Sequence, residues 1–180
     1  MRSFSFFTIK EEVHMKKGMT RRELEVTDIA EITRILDESK IVHIAMVDEG
    51  EPYMVAMNYG YTLENGKLNL YVHGATKGRK LDVMRANPNV FVEMECDMKS
   101  FEGDVACQYG MAYASLMGKG KAVVLDTAKE KEDALSVLMK TQTGKDFVFN
   151  EKLVSIVSVI RIEIEEYTAK KREVPYAAQK

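Results

Sequence analysis

The segment from residue 71 to residue 82, YVHGATKGRKLD, holds the groups most able to bind an anion. Three small residues would let a ligand approach the backbone closely: Gly74, Ala75 and Gly78. Arg79 and Lys80 follow at the predicted first turn of a helix, where free N–H groups and the helix dipole favour negative charge. The pattern therefore predicts a phosphate site. Adjacent basic residues at a helix start also occur as ordinary solvent-facing side chains, and no GxxxxGK[ST] loop is present.

Histidines and carboxylates supply the remaining candidate chemistry. His73 ends the predicted strand before the basic pair, and an imidazole there could give or take a proton near neutral pH. His43 lies within an apolar run, and we expect it to be a core residue. Glu93, Glu95 and Asp97 alternate along one strand, where they could bind a cation or face solvent or a partner subunit. No zinc-type spacing of cysteine and histidine exists, and no metal site is predicted.

Composition and charge exclude several classes of protein. The chain has 180 residues, 46% of them hydrophobic, which suits one folded domain and excludes a disordered chain. A net charge of -2 gives no general reason to bind nucleic acid or an anionic membrane. The longest apolar run, residues 154–160, is far shorter than the ~18 residues of a membrane helix. Two cysteines and no recognisable export signal predict free thiols and a cytoplasmic location.

The spacing of apolar residues predicts the elements that must position these groups. Asp28, followed three residues later by Glu31, is typical of a capped helix start. Apolar residues recur at helical spacing after it and predict a helix that ends near Ser39. Two further helices are predicted, at residues 77–86 and 126–144. Alternating or β-branched runs predict six strands, at residues 41–47, 52–63, 67–73, 89–96, 113–125 and 153–170. Asn65-Gly66 is typical of a tight hairpin turn, and residues 97–110 are predicted to form a loop. Gly118 and Gly120 are predicted to mark a bulge or a sharp bend.

These elements predict a mainly β fold with helices, in the form of a six-stranded antiparallel barrel, because closure removes exposed strand edges. We expect residues 1–26 to be an N-terminal extension, residues 27–172 the barrel domain and residues 173–180 a C-terminal tail. The extension carries a basic cluster that could be a nucleic-acid arm or a solvated segment: Lys16, Lys17, Arg21 and Arg22. We predict a solvated segment, with neither nucleic acid nor membrane as a partner.

The order of elements and three segments resemble the FMN-binding split-barrel family, which includes the pyridoxamine 5′-phosphate oxidases. The segments are HIAMVDEGEPYMVAMNYGY, LYVHGATKGRKLDVMRANPNVFVEME and YASLMGKGKAVV, within a resemblance that covers residues 19–172. The Gly78-Arg79-Lys80 motif in its strand–loop–helix context is typical of the superfamily. His73 ahead of that motif is similar to the nitroimidazole-resistance branch.

The resemblance implies a homodimer with two FMN molecules at its interface. Arg79 and Lys80, after Gly78, would hold the FMN phosphate. The strand along the isoalloxazine ring would carry Ala56, Met57, Asn58 and Tyr59. The ring and ribityl chain would be lined by His73, Gly74, Ala75 and Thr76. Ser115 would touch the phosphate or the ribityl chain, and His73 would be the catalytic residue linked to redox turnover.

Three functions are compatible with this resemblance. The favoured one is an FMN-dependent oxidoreductase that reduces a small planar acceptor such as a nitroaromatic compound. The second is a non-enzymatic flavin-binding or haem-handling protein, with His73 or His43 as the haem ligand. The third is the pyridoxamine-phosphate oxidase reaction itself. That reaction is less favoured, because the predicted barrel has no second basic cluster near a helix start for the substrate phosphate.

Overall fold

The computed structural model of the chain describes residues 19–175. The described residues form eight strands: β1 (Glu25–Val26), β2 (Ile41–Asp48), β3 (Glu51–Asn58), β4 (Gly60–Glu64), β5 (Lys67–Gly74), β6 (Asn89–Phe101), β7 (Gly110–Val124) and β8 (Ser158–Arg172). Four α-helices accompany them: α1 (Ile29–Glu38), α2 (Arg79–Ala86), α3 (Ala128–Thr143) and α4 (Glu151–Ser155). Short 3-10 helices lie at Arg22–Leu24 and Ala106–Gln108. None of the helices within residues 19–175 has both the length and the apolar character needed to cross a membrane.

The strands form one antiparallel sheet in the order β3-β2-β6-β7-β8-β5-β4, and β1 pairs with β8. The sheet curls so that β3 approaches β5. Across residues 19–175, however, β2 is the only strand that pairs with β3. The barrel is therefore split between β3 and β5. The loop from β5 into α2, which carries the predicted phosphate motif, begins at this gap.

Alternation along the strands sends one set of side chains into the barrel and the other set to its outer surface. Inside lie the apolar residues of the main core, among them Ile44, Val72, Met94, Leu116 and Ile162. A second, smaller core forms where α3 and α4 cover the other side of the sheet: Leu125, Ala134, Leu135, Val154 and Val159. Helix α1 closes the main core with Ile32, Ile35 and Leu36, and Asp28 caps its start as predicted.

The mainly β, antiparallel split barrel with helices is confirmed, but eight strands replace the six that the sequence predicts. The predicted strand at residues 52–63 divides at Tyr59 into β3 and β4. Helix α3 presses against Gly60, where an added Cβ would lie 2.3 Å from the backbone of Leu138. The additional strand β1 contains only two residues.

Two other boundaries differ from the prediction. Strand β6 continues to Phe101 through a bulge after Cys96, so the predicted loop at residues 97–110 starts later. The last strand begins at Ser158, because the Asn150 side chain accepts a hydrogen bond from the Leu153 amide and starts helix α4. The bulge predicted at Gly118 and Gly120 is confirmed by a register shift between Lys119 and Gly120.

Candidate functional site

The predicted phosphate motif lies between the end of β5 and the start of α2. Gly78 has a φ of +138°, a conformation that L side chains rarely adopt, and precedes the helix. Its carbonyl accepts the amide hydrogens of Leu81 and Asp82, which sets the first turn. The turn thus presents Arg79 and Lys80 at a helix N-terminus, where the dipole favours an anion.

The two basic side chains point in different directions. Arg79 extends towards the β2–β3 hairpin, where its Nε donates to Oδ2 of Asp48 at 2.6 Å. Its guanidinium also stacks 4.4 Å from the ring centroid of Tyr53. The hydrogen bond to Asp48 raises the pKa of the Arg79 guanidinium, which stays charged. The described hydrogen bonds of Arg79 use Nε, so the outer edge of the guanidinium is available to a ligand.

Lys80 turns instead towards the gap in the barrel. Its Nζ lies 3.9 Å from Sδ of Met57 and 3.0 Å from the position that a Cβ on Gly74 would take. Within residues 19–175, Lys80 has no carboxylate within ion-pair distance. The structure thus brings together three predicted site residues, Met57, Gly74 and Lys80, around an ammonium group whose described partner is a weakly accepting thioether.

The edge strand β3 carries the other residues predicted to lie along a flavin ring. Ala56 and Asn58 are exposed on the outer face, whereas Met57 and Tyr59 point inward. The Tyr59 side chain is fully buried, and its hydroxyl donates to the Leu36 carbonyl at 2.7 Å. Burial raises the pKa of that hydroxyl well above its usual value. The Tyr59 side chain is therefore part of the core, and only its backbone could meet a ligand.

His73 is exposed and lies directly opposite Val159 of β8, with Gly74 opposite Ser158. Since Val72 points into the main core, His73 points to the other face of β5, towards the side that α3 and α4 cover. Ala75 and Thr76 are exposed in the loop that follows. In the described part of the chain, no hydrogen bond or ion pair joins His73 to Arg79 or Lys80.

Ser115 lies in a different part of the sheet. It is buried on β7, between Glu95 of β6 and Lys170 of β8 in the strand register. It lines an outer cavity of about 510 Å³ with Tyr113, Met117 and other residues. Two strands, β2 and β6, separate β7 from β3. A single subunit therefore does not bring Ser115 beside the phosphate motif.

A cluster of titratable groups borders the same cavity. His43 of β2 lies opposite Glu93 of β6, and its Nδ1 is 3.3 Å from Oε2 of Glu93 and 3.7 Å from Oε2 of Glu95. Burial, with the adjacent Glu95 carboxylate, raises the pKa of Glu93 to about 7, although His43 opposes the shift. The prediction that His43 belongs to the core is wrong, because its side chain lies on the outer face and is 32% exposed.

Asp97 does not join this cluster. The β6 bulge gives Asp97 a φ of 58° and turns its carboxylate to Arg34, 2.5 Å away. The alternation predicted for Glu93, Glu95 and Asp97 therefore ends at Glu95. Cys96 and Cys107 are free, as predicted, the first buried and the second exposed.

Sequence reasoning missed two features of this region. The contact of Asp48 and Tyr53 with Arg79 joins residues that are 31 and 26 positions apart, and no motif signals it. The placement of His43 beside Glu93 depends on the register of β2 and β6, which lie 50 residues apart. Alternation correctly assigned Glu93 and Glu95 to one face of their strand, but it could not identify the partner strand.

Comparison with known proteins gives one family match. The sequence model of the pyridoxamine 5′-phosphate oxidase family matches residues 28–171. No curated protein sequence matches the chain.

Several solved structures have a similar fold. One is a candidate 5-nitroimidazole antibiotic resistance protein from Bacteroides thetaiotaomicron, at 28% identity and a TM-score of 0.71, over 82% of this chain and 86% of that chain. A FAD and haem binding protein from Mycobacterium smegmatis has 17% identity and a TM-score of 0.71, over 83% of this chain and 73% of that chain. The flavocytochrome Anf3 from Azotobacter vinelandii has 18% identity and a TM-score of 0.71, over 88% of this chain and 74% of that chain. The last two similarities concern the fold alone.

Proposed function

Because the chain belongs to the pyridoxamine 5′-phosphate oxidase family, we propose that it binds FMN at the gap between β3 and β5. We propose further that it is an oxidoreductase that reduces a small planar acceptor. Bound FMN would supply hydride or electron transfer, and the protein would supply binding, orientation and charge. The fold alone does not determine the reaction, so the proposal rests on the residues at the gap.

One observation carries the proposal: the Lys80 ammonium group lies at the gap beside Met57 and Gly74 without an anionic partner in the described structure. A half-buried charge is costly unless a counter-charge accompanies it. Gly74 leaves space against Lys80 that any larger residue would fill. A ligand phosphate at the start of α2 would provide the missing negative charge, so these residues fit the phosphate of FMN.

Arg79 would be the second basic side chain that binds the phosphate. Its Nε is held by Asp48 and its plane by Tyr53, while the outer edge of the guanidinium can donate two hydrogen bonds. Asp48 orients the side chain but also places a negative charge beside the expected phosphate. The net attraction therefore depends on both basic residues together.

The isoalloxazine ring would lie along the edge of β3. Because β3 pairs with β2 on one side, the backbone N–H and C=O groups on its other side can bind the polar edge of a ring. Ala56 and Asn58 project to the outer face, Met57 borders Lys80, and Tyr59 contributes its backbone. Ala75 and Thr76, in the loop after β5, would contact the ribityl chain.

The proposed role of His73 is to move a proton during acceptor reduction. Its side chain is exposed at the end of β5, two residues before Ala75 and three before Thr76 in the loop that follows. An imidazole titrates near neutral pH and can serve as either acid or base. The outward direction of His73 means that it would meet a ligand bound at the rim of the gap.

We propose that the functional unit is a homodimer, with the outer face of β3, β2, β6 and β7 as its interface. Exposed apolar side chains are concentrated on this face: Ile41, Val47, Met54, Phe91 and Met117. Such a patch is typical of an interaction surface. A second copy would also bring its Ser115 towards the phosphate site, which one subunit alone does not do.

The similarity to the Bacteroides protein supports a nitro compound as the acceptor. That protein is connected by name with 5-nitroimidazole resistance, and it covers most of both chains at 28% identity. A flat, electron-poor ring of this type could stack on a flavin and accept hydride or electrons from it. We therefore propose nitroaromatic compounds as the first substrates to assay.

A haem-handling function is the second candidate. Exposed His73 could be a haem ligand, whereas His43 is already engaged with Glu93. The visible spectrum of the purified full chain distinguishes the two functions. The absorption bands of oxidised flavin would support the first function, because only a bound flavin would supply them. A Soret band without flavin bands would overturn it in favour of haem.

Light scattering tests the proposed dimer. A stable particle of twice the 20.4 kDa chain mass is expected. Substitution of Met54 and Phe91 by lysine should shift that particle towards monomer, because it places charge in a desolvated interface. A monomeric wild-type chain that retains FMN would contradict the interfacial arrangement.

A further inference from the structure

Three potential metal ligands converge on the outer face of the sheet, away from the basic motif at α2. His43 and Glu93 are directly opposite each other in the β2–β6 register, and Glu95 follows two residues later on the same face. Their donor atoms all lie within 4.8 Å of one another. Because His43 and Glu93 pair across β2 and β6 and Glu95 pairs with Ser115 of β7, the positions of the three residues are set by the sheet rather than by a flexible loop.

The separations match those of donors around one small cation. Nitrogen and oxygen ligands bind zinc at about 2.0–2.1 Å, which places neighbouring tetrahedral donors about 3.4 Å apart. The Nδ1 of His43 lies 3.3 Å from Oε2 of Glu93 and 3.7 Å from Oε2 of Glu95. The second distance exceeds that of a hydrogen bond, so the imidazole can form a hydrogen bond with the carboxylate of Glu93 but not with that of Glu95.

The environment of the Glu95 Oε2 atom is a second, independent observation that points to a bound cation. Although the Glu95 side chain is 33% exposed, this oxygen is inaccessible to solvent and has no hydrogen-bond partner among residues 19–175. A buried carboxylate oxygen without a donor is costly. The nearest basic side chain in the strand register, Lys170, does not compensate it, because its Nζ lies over the Tyr113 ring, 5.5 Å from the centroid.

We propose that His43, Glu93 and Glu95 bind one divalent transition-metal cation. One imidazole and two carboxylates neutralise a divalent charge, and the imidazole favours zinc, iron, copper or nickel over calcium or magnesium. Three protein ligands leave at least one coordination position, which would face the cavity of about 510 Å³ that Glu93 and Glu95 line. A cation there would join β2 to β6 beside Met117, on the face that we propose for dimerisation. The site does not depend on the flavin proposal.

Equilibrium dialysis of the full chain against Zn²⁺, with a non-chelating reductant, tests the site. Wild-type protein should bind one Zn²⁺ per chain. His43→Ala and Glu95→Gln should each weaken binding at least about tenfold, because each removes a direct ligand. Zn²⁺ should also raise the melting temperature of wild type more than that of either variant, since a ligand of the native state stabilises it.

Two control variants separate this site from other zinc-binding groups. His73→Ala removes an exposed histidine and Cys107→Ser the exposed thiol, and both should bind Zn²⁺ as wild type does. Glu95→Gln preserves the shape of the side chain, so its circular dichroism should equal that of wild type. Absence of stoichiometric Zn²⁺ binding by wild type, or equal binding by folded Glu95→Gln, would overturn the proposal. Neither result would affect the flavin spectrum on which the proposed function depends.

Discussion

The Nε of Arg79 lies 2.6 Å from Oδ2 of Asp48, so a residue proposed to bind phosphate already holds an internal anion. The pair joins the start of α2 to the end of β2, and the Tyr53 ring supports the guanidinium from β3. Asp48 thereby aligns Arg79 and at the same time reduces its net attraction for a phosphate. The contact therefore both orients Arg79 and weakens its attraction for phosphate, and the affinity for FMN shows which effect is larger.

We expect Asp48→Asn to strengthen FMN binding about twofold to fivefold, the range of an exposed ion pair. The amide can still accept a hydrogen bond from Arg79, but it no longer repels a phosphate. Flavin fluorescence titration measures the effect. Asp133→Asn is the matched control, because it removes an equal charge from an exposed side chain on α3, outside the proposed phosphate site. Weaker binding by Asp48→Asn would mean that alignment of Arg79 outweighs repulsion.

His73→Ala should retain FMN and lose acceptor reduction. General acid–base catalysis by a positioned side chain contributes about a hundredfold or more, so the turnover number should fall at least about a hundredfold. The dissociation constant of FMN should remain unchanged, because no contact in the described structure links His73 to Arg79 or Lys80. A variant with full turnover would restrict His73 to a structural or surface role.

Tyr59→Phe should destabilise the fold without affecting FMN. The Tyr59 hydroxyl donates to the Leu36 carbonyl near the end of α1, where helix carbonyls lack internal partners. Loss of this buried hydrogen bond should lower the free energy of unfolding by about 1–2 kcal/mol. Urea denaturation measures the change. A large loss of FMN affinity in a variant of unaltered stability would show that the Tyr59 side chain contacts the cofactor.

Glu31 should make stability depend on pH in the acid range. Arg34 at 2.9 Å, together with Lys171 at 3.1 Å, lowers the pKa of Glu31 from 4.5 to about 2. Because the folded-state pKa is the lower one, this stabilisation is fully present above the unfolded pKa and is lost as pH falls through the folded pKa. Solvent screening limits it to about 1 kcal/mol.

Thermal denaturation of wild type and Glu31→Gln checks this linkage. At about pH 6, wild type should be the more stable protein, and the difference should become small by about pH 2.5. A difference that stayed constant over this range would mean that the interaction of Glu31 with Arg34 and Lys171 does not depend on its charge.

The sequence predicted best those features that are set by neighbouring residues. Asp28 caps α1 as expected, and Asn65 and Gly66 have φ values of 51° and 80°, as a type I′ turn requires. The strand faces of residues 53–58 also follow the alternation. Each of these outcomes depends on the conformation of a few consecutive residues, for which residue type is a direct signal.

Tertiary contacts determined the features that the sequence did not reveal. The alternation of residues 53–61 continues through Tyr59, whereas the structure breaks the strand there, next to the point where Leu138 of α3 approaches Gly60. The outward position of His43 follows from its pairing with Glu93 on a distant strand. The separation of Ser115 from the basic motif likewise depends on the order of strands in the sheet, which no local pattern encodes.

Titration of FMN and riboflavin into wild type, Arg79→Ala and the Arg79→Ala, Lys80→Ala double variant tests the proposed phosphate site most directly. Arg79→Ala should bind FMN about tenfold to a hundredfold more weakly than wild type, and the double variant more weakly still. Riboflavin, which lacks the phosphate, should bind all three proteins about equally. A double variant that binds FMN as tightly as wild type would contradict the assignment of these residues and of the site at the start of α2.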